Sequence, residues 1–235
     1  MNKLTSDMEQ LWSSLGLSEY GPSRSLQFIA ADSGEGTSLL AREFAVYAAQ
    51  RMAQPVWLVS LEPGSDVHID AVQAQPWRFG TLGEMKQASP DRSMFFEVLP
   101  VERDHRGRVI AAADYLVAYG VCEQRLWLTH FRQDRLSAAQ TVEICANAAY
   151  WNALKAYSGL IIIDSPALDR SIDGLTIAPF MDQSGIVLAA DGASVRGPAL
   201  LKNALTAAGA NCVGLVFNRD PARRGRRAKV LQGLR

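Results

Sequence analysis

One stretch near the start of the chain, Ser25-Leu-Gln-Phe-Ile-Ala-Ala-Asp-Ser-Gly-Glu-Gly-Thr-Ser38, gathers small, glycine and hydroxyl residues between two apolar segments. A turn of that kind which opens a helix leaves backbone N–H groups unpaired at the positive end of the helix dipole, and so binds anions. The phosphate-binding pattern is G-x-x-x-x-G-K-[ST]. Here Ala31 replaces the first glycine, Gly36 fills the second, Thr37 stands where a lysine reaches the terminal phosphates, and Ser38 supplies the hydroxyl that holds magnesium. Ser33, Gly34, Glu35, Gly36, Thr37 and Ser38 are therefore the candidate phosphate-binding residues, with the cradle kept and the cation dropped. As a bare pattern, the same turn also reads as a simple strand-to-helix connection. Far along the chain, Gly159-Leu-Ile-Ile-Ile-Asp-Ser-Pro166 places Asp164 behind four apolar residues. A carboxylate at the C-terminal end of a parallel strand can hold magnesium beside Ser38, or cap the turn that follows. Asp164 is the one candidate catalytic residue, and Ser38 and Asp164 are the candidate magnesium ligands.

The elements that must position these groups follow from apolar spacing. Leu26–Ala31 is long enough for one buried strand, and Leu39, Leu40, Phe44, Ala45, Tyr47 and Ala48 recur at helical spacing behind the loop. Strands are predicted near 26–31, 56–61, 159–163, 185–190 and 212–217, a further one at 125–131, and an extra hairpin from 95–101 and 108–113 around Asp104–Gly107. Leu136–Tyr157, rich in alanine and free of Gly and Pro, reads as one long helix, and Val195–Ala208 as another. Strands alternating with helices predict an α/β, three-layer fold with a mostly parallel sheet. Residues 1–25 form an N-terminal helical segment whose face of Leu4, Met8, Leu11, Trp12 and Leu15 covers its own domain or docks on a partner. Residues 26–218 form the main domain, and 219–235 a basic tail with one acid, Asp220. The tail reads as a solvated end, with contact to an anionic membrane or DNA as the alternatives.

Composition narrows the function classes. With 235 residues, 48% hydrophobic, the chain is long enough for one large or two small domains; 24 basic residues balance 24 acidic ones, so no global field draws it toward nucleic acid or membrane. No apolar run suffices to span a bilayer, and no signal peptide is expected. Cys122, Cys145 and Cys212 are odd in number and widely spaced, which predicts a reducing, cytoplasmic compartment. His68, His105 and His130 lack metal-ligand spacing.

The order of these pieces resembles the bacterial tyrosine kinases and related proteins of capsule and exopolysaccharide biosynthesis, within the deviant-Walker class of P-loop ATPases. The resemblance runs from about Leu26 to Asn218, poorly over 63–125. Ser33-Gly-Glu-Gly-Thr-Ser38 resembles the family loop P-G-E-G-K-S except at the proline and the lysine. The family's second motif, an apolar strand ending D-x-D, is matched by Val56-Trp-Leu-Val-Ser-Leu-Glu62 with Ser60 in place of the first acid. Ile161-Ile-Ile-Asp-Ser-Pro166 resembles the third motif, and Ile186–Asn218 the late segment, which implies that Asn218 reads the adenine edge. Kinase members end in a tyrosine cluster; this chain has no Tyr after Tyr157. The resemblance implies a cytoplasmic accessory or regulatory protein of exopolysaccharide synthesis and export, of capsule or holdfast type. Its nucleotide site is degenerate, so ATP or ADP with magnesium binds weakly or not at all. The implied partner is a membrane-embedded copolymerase or chain-length determinant, with homo-oligomers and peripheral membrane contact left open. The alternatives are an active autokinase or ATPase whose cation comes from elsewhere, Lys86 or Arg42 being the candidates, and a partitioning-type protein that binds DNA or membrane. Loss of the lysine removes a charge-assisted bond, which weakens nucleotide binding by roughly 10- to 100-fold.

Overall fold

A computed structural model describes residues 3–189 and 196–218 of the chain. The first helix, α1 (Lys3–Ser14), leads into β1 (Arg24–Ala30), the loop, and α2 (Thr37–Arg51). Then come β2 (Val56–Ser60), α3 (Val67–Ala74), the single turn α4 (Pro76–Phe79), β3 (Met85–Gln87), β4 (Phe96–Leu99), β5 (Leu116–Val121) and β6 (Leu126–Phe131). The chain continues through β7 (Thr141–Ile144), α5 (Ala149–Lys155), β8 (Leu160–Asp164), α6 (Asp173–Ile177), β9 (Gln183–Ala189), α7 (Arg196–Ala207) and β10 (Cys212–Asn218). Eight strands form one sheet in the order β10-β9-β1-β8-β2-β6-β5-β3. The pairings from β10 to β6 are parallel; β5 joins β6, and β3 joins β5, antiparallel. The five central strands expected from the sequence are β1, β2, β8, β9 and β10, and 125–131 is β6.

The period-two alternation of a strand sorts its side chains into two cores. Val56 and Leu58 of β2, with Leu160 and Ile162 of β8, share the core under α2; Trp57 and Val59, with Ile161 and Ile163, share the core that holds Tyr150 and Trp151 of α5. Strands buried on both faces read as continuous apolar runs, which is why β8 is so legible. Met8, Leu11 and Trp12 of α1, and Leu15 just after it, are buried in the α2-side core, with the Trp12 ring 6.5 Å from Phe44 and 6.3 Å from Tyr47. Each such side chain contributes about 1.5–3 kcal/mol when fully buried. Leu4 stays exposed, and so does Leu39 of the expected α2 face.

Two expectations are corrected. Residues 136–157 are not one helix. Thr141-Val-Glu-Ile144 is β-branched and alternating, and pairs antiparallel with β4, Phe96 opposite Ile144. Helix α5 starts only at Ala149, whose N–H donates to the Asn147 side chain at 2.9 Å. The extra hairpin is also reassigned: Asp104–Gly107 forms its turn and Arg103 bridges Val109, yet β4 takes β7, not 108–113, as its partner. The basic tail lies outside the described residues.

Candidate functional site

Parallel strands deliver their chemistry at their C-terminal ends. The register here sets Phe28 of β1 and Ser60 of β2 on either side of Asp164 at the end of β8. Above these ends opens a cleft of about 180 Å³ lined by Asp32 through Leu39, by Glu62, and by Asp164–Ala167 with Arg170. All six loop residues singled out in the sequence, Ser33 to Ser38, thus share one cleft with Asp164. The loop needs its glycines: Gly34 and Gly36 sit at φ 88° and 83°, where a side chain costs about 1–2 kcal/mol. Among the described residues, none accepts a hydrogen bond from the backbone N–H of residues 34–38. That is the donor array of an anion cradle.

The loop is held from outside. The Asp169 carboxylate accepts the Ser33 N–H at 2.9 Å and the Ser33 hydroxyl at 2.8 Å. Ala189 N–H donates to the Glu35 carboxylate, which ties the loop to β9. Asn218, which the resemblance assigns to adenine, donates its side-chain amide to the Glu35 carbonyl at 2.9 Å. In this structure it supports the loop and is not among the cleft-lining residues.

Asp164 is 5% exposed, and its Oδ2 lies 3.0 Å from His68 Nε2 of α3, itself buried. Its Oδ1 has no hydrogen-bond partner among the described residues. A buried acceptor left unpaired is costly, so this oxygen is free for a ligand. Magnesium fits the donor set: Ser38 and Asp164 offer two hard oxygens to one cleft, and magnesium completes its shell with water and phosphate. Among the described residues no group of three acidic, His or Cys side chains could hold a metal by itself. Bound there, magnesium would neutralise phosphate charge. Ser60 gives the site no second acid; its hydroxyl accepts the Glu62 N–H at 3.3 Å and acts as a turn residue.

Neither cation named from the sequence serves the cleft. Lys86 sits 5.0 Å over the Trp127 ring, on the far edge of the sheet. Arg42 is buried in α2 and does not line the cleft; burial pushes its guanidinium below the ordinary value, against Glu43 and Asp164, which hold it charged. The cation present is Arg170, paired with Glu62. Sequence reasoning missed Arg170, Asp169 and His68. Arg170 had one signal: it lies on the connection that leaves the same strand end as Asp164.

No known family model matches the chain, and no curated protein sequence does. Solved structures are similar throughout the fold. The VpsO kinase domain has a TM-score of 0.58 at 16% identity, covering 92% of this chain and 95% of that one. The kinase domain of the Escherichia coli tyrosine kinase ETK reaches 0.52 at 13%, covering 88% and 71%. Cobyrinic acid a,c-diamide synthase from Mycobacterium smegmatis, with bound ATP analogue and magnesium, reaches 0.50 at 13%, covering 83% and 74%. The fold is that of the P-loop ATPases. At such identities the likeness extends to the architecture, so every role at this P-loop rests on the residues of this chain.

Proposed function

We propose that the chain is an accessory or regulatory protein of exopolysaccharide biosynthesis and export. It uses a P-loop ATPase fold that keeps a weak nucleotide site and has lost turnover. The observation that carries this reading is a pair of substitutions, one in the loop that lines the cleft and one on the strand beside Asp164. Thr37 stands at the head of α2 where the cation belongs, and Ser60 stands beside Asp164 where a second carboxylate belongs. A lost cation weakens binding and turnover, because charge grows on the phosphates in the transition state. A lost acid removes one hold on magnesium. The similarity to tyrosine kinase domains supports a role beside such kinases in polysaccharide production. The site proposed is Ser33–Ser38 for phosphates, Ser38 and Asp164 for magnesium, and Asn218 for the loop and the base. We place the protein in the cytoplasm, docked on the cytoplasmic end of a membrane-embedded copolymerase; no helix among the described residues is long and apolar enough to cross a membrane itself.

Isothermal titration of wild type and Thr37→Lys with ATP and magnesium tests the reading. The new ammonium sits at the first turn of α2, where a flexible stem reaches phosphate and water. ATP affinity rises about tenfold or more, while phosphate release stays at background in both proteins, because Ser60 is unchanged. Sustained ATP turnover by the wild type would overturn the non-catalytic reading. Absence of binding by both proteins at millimolar nucleotide would leave a docking module without a cradle.

A further inference from the structure

Arg170 is the one cation among the described residues that line the cleft. Its backbone is anchored to the base of the P-loop. Leu168 and Asp169 donate their N–H groups to Ala30 and Ala31 at 2.9 and 3.1 Å, and the Asp169 carboxylate clamps Ser33. Arg170 therefore projects one residue beyond a fixed point on the loop itself. Its guanidinium, half exposed, pairs with Glu62 on the connection after β2. An exposed pair of this kind adds little stability and exchanges readily for a better acceptor. Phosphate is such an acceptor, because the planar fork of arginine matches two of its oxygens at once.

The remaining groups say which ligand. Asp32, Glu35, Glu62 and Asp164 face the same cleft as Arg170, so a bare polyanion binds more weakly there than one that brings a cation. The buried, unpartnered Oδ1 of Asp164 is an acceptor for that cation. The N–H groups of residues 34–38 are donors for the anion. A phosphorylated nucleotide carrying a divalent ion satisfies both sets.

We propose that Arg170 supplies, from the connection after β8, the cation that Thr37 fails to supply from the loop, and that it binds the terminal phosphates of a nucleoside di- or triphosphate. Glu62 is its latch. The phosphate takes the guanidinium from Glu62 on binding, so nucleotide affinity is set by a competition between an internal carboxylate and the ligand. This inference rests on the reading of the cleft as a nucleotide site.

The test is titration of ATP and AMP, with magnesium and with EDTA, into wild type, Arg170→Ala, Arg170→Lys, Glu62→Gln, the Arg170→Ala/Glu62→Gln double variant and Thr37→Lys. Thermal melts check that each surface variant folds. Arg170→Ala weakens ATP about tenfold or more and leaves AMP unchanged. Arg170→Lys recovers part of the loss. Glu62→Gln tightens ATP, and that gain shrinks when Arg170 is absent. The Arg170 effect persists in EDTA. If Arg170→Ala binds ATP like the wild type while Thr37→Lys binds more tightly, the cradle is real and Arg170 is not its cation. If the Arg170 effect disappears in EDTA, Arg170 acts only by placing Glu62 near the metal, and the proposal falls. If neither the wild type nor Thr37→Lys binds, the nucleotide reading falls and the inference with it.

Discussion

His68 makes the only side-chain hydrogen bond of Asp164 among the described residues, and both lie in the interior. The pair holds the carboxylate so that Oδ2 is engaged, while Oδ1 has no hydrogen-bond partner among the described residues. Removing His68 leaves both oxygens of a buried acceptor unpaired, which costs roughly 1–3 kcal/mol or more for a charged group. His68→Ala should therefore lower stability by about that amount, and Asp164→Ala should then cost much less in the His68→Ala background than alone. Denaturant titration of the two single variants and the double variant measures the coupling; additive losses would show that the contact is incidental. Asp164 and Ser38 were legible in the sequence because each ends a local motif, an apolar strand or a glycine turn. His68 was not, because it reaches Asp164 from α3, and nothing in its neighbours marks a partner 96 positions away. The substitution at position 60 was legible as a missing acid, but its consequence became visible only through the register that sets Ser60 beside Asp164.

At the scale of elements, the central parallel strands were legible because burial on both faces makes them mostly apolar runs, with a few buried polar residues such as Gln27 and Ser184. Strand β5 was not. It is buried yet contains Gly120, and it turns into β6 through Cys122, Glu123 and Gln124, three non-glycine residues at φ 50°, 58° and 63°. A turn without Gly or Asn-Gly gives no hairpin signal, since its left-handed backbone is enforced by tertiary contacts. One such contact is Arg125, which donates to the carbonyls of Ala49 and Met52 at the C-terminal end of α2, at 2.7 and 2.6 Å. The start of β9 is tied in a comparable way. Asp182 accepts the Ser25 N–H at 2.7 Å and the Ser25 hydroxyl at 3.0 Å, and Lys155 at the end of α5 approaches to 2.7 Å. Burial pushes the Asp182 carboxyl up, but the bonds from Lys155 and Ser25 outweigh it and hold the carboxyl below its ordinary value. A carboxyl lowered in the folded state stabilises fully above its unfolded value of about 3.9, and that contribution is lost as pH falls through the folded value. Asp182→Asn should thus be less stable than wild type near neutral pH, and the gap should narrow as pH drops below about 4. Urea midpoints compared at about pH 7, 5 and 3 check this; a gap that stays constant would mean that Asp182 does not titrate as an ion-paired carboxylate.

For the molecule as a whole, phosphate transfer needs an acceptor as well as a site. The chain holds six tyrosines, none after Tyr157. Folding removes most of them from reach: Tyr47, Tyr115 and Tyr150 are buried, Tyr119 is half-buried, and only Tyr20 and Tyr157 stand well exposed, at 85% and 64%. The Tyr150 phenol lies at the centre of the α5-side core, where burial raises its pKa far above the ordinary value, so it is neither accessible nor easily deprotonated. The two exposed tyrosines are isolated in sequence, not a cluster that successive copies could modify. Tyr20 follows α1 and Tyr157 follows α5, each in a short connection at the N-terminal side of a strand. The cleft lies at the opposite, C-terminal ends of those strands. A transfer within one copy would have to span the length of those strands. Purified wild type incubated with ATP and magnesium should therefore give no phosphotyrosine signal. Thr37→Lys should give none either, because restoring a cation does not supply an acceptor. Mass spectrometry of both proteins decides between outcomes. Phosphate mapped to Tyr20 or Tyr157 after incubation of pure protein would demonstrate transfer between copies and return the chain to the active kinases.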